Sequence, residues 1–168
     1  MIIDLREIKT LWINLDRATK NAQEIEEQCK KYEIKNQERF PAIVVDPKNP
    51  LCISQHPHMK PYLAGCGLSH IECIKKSIEI GKPTLVLEDD ASITPYYENI
   101  LQLPDNCDAV YLGVSTGSPN YVSCKYDDKF LRIGRMLAAH AVLYISEKYK
   151  KAALEADRKS TRLNSSHE

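Results

Sequence analysis

Residues 84–90 read TLVLEDD, a run of strand length that ends in three consecutive carboxylates. Apolar residues at consecutive rather than alternating positions are typical of a strand buried on both faces, as in a parallel sheet. Glu88, Asp89 and Asp90 would follow the end of that strand, and open α/β sheets bind their ligands beyond the carboxyl ends of strands. This stretch therefore predicts both a sheet and the edge at which its chemistry lies.

Strands and helices alternate on both sides of this stretch. Further strands are predicted at residues 10–15, 39–45, 108–112 and 141–145, and helices at residues 18–32, 65–80 and 147–156, with a loop over residues 46–63. Pro41 cannot donate a ladder hydrogen bond, which places its strand at an edge or at a strand start. The alternation predicts an α/β fold with a mainly parallel sheet.

Length and charge restrict the class of protein. The 168 residues suit one domain, and 23 basic side chains balance 23 acidic ones. This balance gives no indication of nucleic acid or of an anionic membrane as a partner. No apolar run approaches the ~18 residues of a membrane span, and the first residues carry acids where a secretory signal needs a basic cap. We expect a cytoplasmic protein without a membrane span.

The six cysteines include no CxxC pair. In a chain without a secretory signal this favours reduced, mostly buried thiols over disulfides. His56 and His58 form a lone HxH near Cys52, and spacing alone supplies no further ligands for zinc. The sequence therefore predicts no zinc cluster.

The last twelve residues differ from the rest of the chain. Residues 157–167 read DRKSTRLNSSH, which is identical to the translation of a common sequencing-library adapter. Such segments are set aside before the fold is considered. We expect residues 1–156 to form a domain that is incomplete at its carboxyl terminus, and residues 157–168 to be non-native and to pack on nothing.

The acidic triplet is the strongest chemical signal. Three adjacent carboxylates repel one another, so a positive group should lie beside Glu88, Asp89 and Asp90. Oxygen ligands at this position suit Mg²⁺ or Mn²⁺ that bridges substrate phosphates. The alternative is a solvated acidic turn or a helix N-cap.

Residues 65–70, which read GCGLSH, supply a second and weaker signal. They are expected to open a helix, whose first backbone N–H groups could bind an anion. A simple turn before a helix explains the glycines equally well, and His70 could be a packing residue.

Five segments together resemble glycosyltransferase family 25, the lipopolysaccharide and procollagen galactosyltransferases. They are residues 11–17 (LWINLDR), 39–42 (RFPA), 65–70 (GCGLSH), 85–91 (LVLEDDA) and 140–146 (HAVLYIS). The resemblance implies a GT-A-type, Rossmann-like domain. It also implies a nucleotide-sugar donor such as UDP-galactose, a saccharide or glycan acceptor as in lipopolysaccharide biosynthesis, and Mn²⁺ or Mg²⁺ as cofactor.

The resemblance also implies roles for individual residues. Glu88 and Asp90 would hold the metal. The expected donor contacts are Asn14, Arg17, Ser69, His70 and Asp89. An inverting transfer needs a general base, which we expect beyond Ala156. His140 is the one weak candidate within the chain, and burial against the sheet explains it equally well.

Two alternatives to transfer remain open. A sugar nucleotidyltransferase should carry a glycine-rich and basic phosphate loop after its first strand, where this chain reads DRAT at residues 16–19. A non-catalytic or degenerate domain would bind metal and nucleotide without turnover.

Overall fold

The structure is a computed structural model that describes residues 1–46, 48, 61–113, 122–135 and 140–165, with side chains except at Arg135 and residues 157–165. The strands are β1 (Ile2–Asp4), β2 (Lys9–Asn14), β3 (Gln37–Pro41), β4 (Thr84–Glu88), β5 (Ile100–Gln102), β6 (Ala109–Gly113), β7 (Val122–Lys125), β8 (Leu131–Arg135) and β9 (Ala141–Tyr144). The helices are α1 (Thr19–Lys31), α2 (Pro61–Ile80) and α3 (Glu147–Ser165).

The central sheet has five strands in the order β3-β2-β4-β9-β6. β2 pairs in parallel with both β3 and β4, and Pro41 lies in the edge strand β3, as predicted. β9 runs antiparallel to both of its neighbours, β4 and β6. The predicted mainly parallel sheet is therefore a mixed one, with two parallel and two antiparallel ladders.

The change of direction follows from the connection that leads into β9. A parallel neighbour requires a crossover of about a dozen residues or more, usually a helix. The described residues between β6 and β9 form no helix but the antiparallel β7–β8 hairpin. The chain therefore returns to the sheet in the opposite direction.

Two helical layers cover the sheet. On one face Trp12, Leu85 and Leu143 share a core cluster with Ile25 and Cys29 of α1. On the other face, alternate residues of the same strands pack against α2 and α3, in a cluster that contains Leu11, Val86, Val142, Cys73, Ile74 and Ala153. β4 is thus buried on both sides, which confirms the interpretation of its apolar run.

Two features on the α1 side of the sheet complete the description. β1 and β5 form a separate antiparallel pair that the sequence analysis did not anticipate. The turn of the β7–β8 hairpin, residues 126–130, lines a cavity of about 450 Å³ together with Gln102 and Pro104.

α2 begins earlier than predicted. Its first residue is Pro61, so residues 65–70 lie within the helix and not at its start. The prediction that these residues open the helix, with N–H groups that could bind an anion, is therefore wrong. Proline is favoured at the first helical position because it needs no N–H partner there. Gly65 serves a different purpose, since a Cβ at this position would lie 2.4 Å from the carbonyl oxygen of Ile43. Cys52, His56 and His58 lie outside the described residues.

The far end of α2 is fixed by two residues. Gly81 follows the helix with φ +67°, a left-handed conformation that suits glycine. The buried Lys150 of α3 donates from Nζ to the carbonyl oxygens of Ser77 and Lys82, at 3.1 and 2.8 Å. α2 is thereby anchored against α3.

α3 begins as predicted and ends later. The Ser146 hydroxyl accepts a hydrogen bond from the backbone N–H of Tyr149 at 3.1 Å and thereby caps the N-terminus of the helix. The helix continues past Ala156 to Ser165, because extension costs little once a helix exists and residues 157–165 contain neither glycine nor proline. The non-native origin of this tail remains a prediction.

None of the three described helices is long and apolar enough to cross a membrane.

Candidate active site

A cavity of about 470 Å³ opens where β2 and β4 end and α2 begins. One wall is apolar and comes mainly from residues 42–45 together with Pro61 and Tyr62. The polar residues that line the cavity are Arg17, Cys66, Ser69, Glu88, Asp89 and Asp90. The acidic triplet thus faces a cavity at the carboxyl ends of the parallel strands, as predicted from its position after β4.

The antiparallel direction of β9 brings His140 to the same edge. Leu87 of β4 pairs with Ala141 of β9, so Glu88, the last residue of β4, adjoins His140, the residue before β9. The backbone N–H of Glu88 donates to the carbonyl oxygen of His140 at 2.9 Å. The His140 Nδ1 atom lies 2.6 Å from Glu88 Oε2 and 3.7 Å from Asp90 Oδ1. His140 therefore belongs to the acidic cluster and is not buried in the sheet.

The second oxygen of Glu88 faces α2. His70 Nε2 lies 3.0 Å from Glu88 Oε1, and the Cys66 thiol donates to the same oxygen at 3.2 Å. These hydrogen bonds, led by that of His70, lower the pKa of Glu88 from its usual 4.5 to about 2 although burial opposes the shift. Burial, with the Glu88 carboxylate second, raises the pKa of the Cys66 thiol to about 12. Glu88 is therefore a carboxylate held by neighbours on both sides.

Asp89 is held in place by a residue of β2. Asn14 is buried and donates from Nδ2 to Asp89 Oδ2 at 2.5 Å. Arg39 Nε donates to Asn14 Oδ1 at 2.8 Å, and a second Arg39 nitrogen donates to Asp16 Oδ1 at 2.5 Å. Because both ends of the amide are engaged, Arg39 fixes the orientation in which Asn14 holds Asp89.

The other predicted donor contacts differ in their availability. Arg17 is exposed at the cavity and forms no ion pair with any described residue. Ser69 is buried, and its hydroxyl donates to the Gly65 carbonyl at 2.7 Å while it accepts from the Ile43 N–H at 2.8 Å. Ser69 thus joins α2 to the segment after β3. His70 is directed at Glu88.

Among the residues that the structure describes, two sets of three side chains could each hold a metal ion. Glu88, Asp90 and His140 offer two carboxylates and an imidazole, and Cys66, His70 and Glu88 offer a thiol, an imidazole and a carboxylate. Within each set the donor atoms all lie within 4.8 Å of one another. Asp89 belongs to neither set.

Arg39 and Cys66 belong to the site although neither is among the site residues predicted from the sequence. Arg39 of β3 pairs with Trp12 of β2, and Trp12 lies two positions before Asn14 on the same strand. The side chains of Arg39 and Asn14 therefore lie on the same face of the sheet. Its place in the RFPA segment was the available signal. Cys66 lies four residues before His70 on one helix, which is the spacing at which two side chains meet.

The model of glycosyltransferase family 25 (LPS biosynthesis protein) matches residues 7–114 of the chain. The chain belongs to glycosyltransferase family 25. A search of curated proteins returns no match.

Family membership makes the chain a glycosyltransferase of a family connected with lipopolysaccharide biosynthesis, which uses a sugar donor and an acceptor. The match to family 25 spans β2 to β6 and includes Asn14, Arg17, Arg39 and the acidic triplet. His140 lies outside the matched residues and joins the site through the direction of β9.

Proposed function

We propose that this family 25 glycosyltransferase has a GT-A-type domain that transfers galactose from UDP-galactose to a saccharide acceptor in lipopolysaccharide biosynthesis. The observation that carries the proposal is the convergence of Glu88, Asp90 and His140. Glu88 and Asp90 line the cavity that Arg17 borders. An anionic diphosphate requires positive charge at such an edge. A divalent cation and Arg17 together supply it.

The residues present fit a divalent cation of the Mn²⁺ type. Glu88 Oε2, Asp90 Oδ1 and His140 Nδ1 would hold it, and the imidazole among them favours Mn²⁺ over Mg²⁺, which prefers oxygen. When bound, the cation offsets negative charge on the departing nucleoside diphosphate. The bonds from His70 and Cys66 keep Glu88 ionised and oriented for this role.

The other side chains bind and orient the donor. Asp89, fixed by Asn14, faces the cavity as an acceptor for hydroxyl groups of the ribose or of the sugar. Arg17 is placed to contact the diphosphate. The apolar wall at residues 42–45 limits the access of water to this side of the donor.

The proposal is tested first by binding. Calorimetric titration with UDP should show binding that requires Mn²⁺ and disappears with a chelator. The absence of any uridine nucleotide binding at saturating Mn²⁺ would contradict the proposal.

Turnover is the second test. The protein is incubated with labelled UDP-galactose, Mn²⁺ and a panel of saccharide acceptors, and labelled product is expected. The degenerate-domain alternative is favoured by the engagement of Glu88, whose two oxygens both contact neighbouring side chains, so that Glu88 is not free as a general base. That alternative predicts Mn²⁺-dependent UDP binding without transfer.

A further inference from the structure

Cys66 and His70 form a pair of potential metal ligands on one face of α2. They are four residues apart in the helix, the spacing that brings side chains together. Both point at the same atom, Glu88 Oε1, from 3.2 and 3.0 Å. The three donor atoms are a sulfur, an imidazole nitrogen and a carboxylate oxygen.

We propose that Cys66, His70 and Glu88 form a second metal site, selective for Zn²⁺ and cations of its class. The site is separate from the one formed by Asp90 and His140 and does not depend on the proposed function. Glu88 would contribute Oε1 to this site and Oε2 to the other.

Donor chemistry favours zinc at this position. Thiolate sulfur selects Zn²⁺ over Mg²⁺ and Mn²⁺, which prefer oxygen. Zn²⁺ accepts cysteine, histidine and carboxylate ligands, and three protein ligands leave a fourth position open. Cys66 and Glu88 both line the cavity, so the fourth position would face it.

The geometry needs only a small adjustment. In a tetrahedral zinc site with ligand bonds of about 2.0 to 2.3 Å, neighbouring ligand atoms are about 3.3 to 3.7 Å apart. The observed separations from Glu88 Oε1 are 3.0 and 3.2 Å, and the Cys66 sulfur lies within 4.8 Å of the His70 imidazole. Side-chain movements on the order of 1 Å would bring the three atoms to these distances. Binding releases the thiol proton to the solvent, and one thiolate and one carboxylate then balance the charge of the cation.

Cobalt(II) serves as the probe, because tetrahedral Co²⁺ bound to thiolate gives a charge-transfer band in the near ultraviolet as well as visible d–d bands. We expect this band at one equivalent of Co²⁺, and we expect Zn²⁺ to displace it. Cys66→Ser should abolish the band. His70→Gln should lower the affinity for Co²⁺ by about 100-fold or more, above the range typical of residues that only support a ligand. A far-ultraviolet dichroism spectrum checks that each variant is folded.

Two control variants identify the sulfur involved, and a third separates the two metal sites. Cys124→Ser removes an exposed thiol on β7, and Cys52→Ser removes the thiol that precedes His56 and His58 in the sequence. Asp90→Asn disables only the other metal site. All three should retain the band. The proposal is overturned if the wild-type protein shows no thiolate band, if the band survives Cys66→Ser, or if it is lost in Cys52→Ser or Cys124→Ser. Failure of Mn²⁺-dependent UDP binding would contradict the proposed function and leave this site untouched.

Discussion

The two halves of the central sheet supply the site in opposite ways. The parallel half, β3, β2 and β4, presents its carboxyl ends to the cavity, so the acidic triplet at the end of β4 lines it and Asn14 at the end of β2 holds Asp89 from below. The antiparallel strand β9 presents its amino end, so His140 reaches the same edge from the residue before a strand. A site at a sheet edge can thus combine residues that follow some strands with a residue that precedes another.

The two halves also differ in what their side chains are free to do. In the parallel half, hydrogen bonds run from Arg39 through Asn14 to Asp89 and position the Asp89 carboxylate as an acceptor. The two halves meet where β4 pairs with β9, and we call the group of Glu88, Asp90 and His140 at that edge the junction. Asp90 and His140 are exposed there and lie close to Glu88. Positioning therefore belongs to the parallel half, and we propose that metal binding belongs to the junction.

The largest expected effect tests the junction. Asp90→Asn removes a charge but little volume from an exposed position, so the fold should persist. We expect Mn²⁺-dependent affinity for UDP to fall by about 100-fold or more, above the range typical of residues that only support a ligand. Calorimetric titration measures this, with Asp128→Asn in the exposed hairpin turn as the control. Unchanged affinity in Asp90→Asn would place the metal elsewhere.

The next effect concerns stability at the junction. His70→Ala removes the leading hydrogen bond to the Glu88 carboxylate, which should cost about 2 kcal/mol in the free energy of unfolding at neutral pH. Because the pKa of Glu88 is lowered to about 2 in the folded protein, this stabilisation is present above its ordinary pKa of 4.5 and is lost as the pH falls towards 2.

Urea denaturation of the wild type and of His70→Ala across that pH range checks this expectation. The gap in stability should narrow below pH 4.5. A gap that stays constant down to pH 2 would show that His70 acts by packing and not through the Glu88 carboxylate.

The smallest effect tests the parallel half. Arg39→Ala frees the amide of Asn14, so Asp89 loses its fixed orientation. We expect about a tenfold loss of UDP affinity at saturating Mn²⁺, which corresponds to about 1.4 kcal/mol, with the affinity for Mn²⁺ itself unchanged. Arg132→Ala on β8 is the matched control. An equal loss of Mn²⁺ affinity in Arg39→Ala would break the division of roles between the two halves.

Local signals predict β2, β4 and α1 well, because the residues that indicate each element lie within about 15 positions of one another. β3 is predicted at residues 39–45 but spans Gln37–Pro41, so residues 42–45 are not part of the sheet. A carboxylate triplet directly after a buried strand identifies the functional edge without knowledge of the partner strands.

The sequence could not predict the junction because it depends on contacts between distant segments. The run at residues 141–145 indicates a strand, but apolar periodicity carries no information on its direction. Only the pairing of Leu87 with Ala141 shows that His140 meets Glu88. The start of α2 depends on a distant contact for the same reason. The glycines of residues 65–70 suggest a helix start, whereas Gly65 lies inside the helix and is required by the approach of Ile43.

The central claim is that one metal ion takes ligands from two parts of the chain. These are Glu88 and Asp90 at the end of β4, and His140 before β9. Pulsed electron paramagnetic resonance of bound Mn²⁺ tests it directly, because a coordinated imidazole gives a nitrogen-14 modulation. We predict this modulation in the wild-type protein and in His70→Ala, and its loss in His140→Ala together with weaker Mn²⁺ binding. Nitrogen modulation that persists in His140→Ala, or that disappears only in His70→Ala, would contradict the claim.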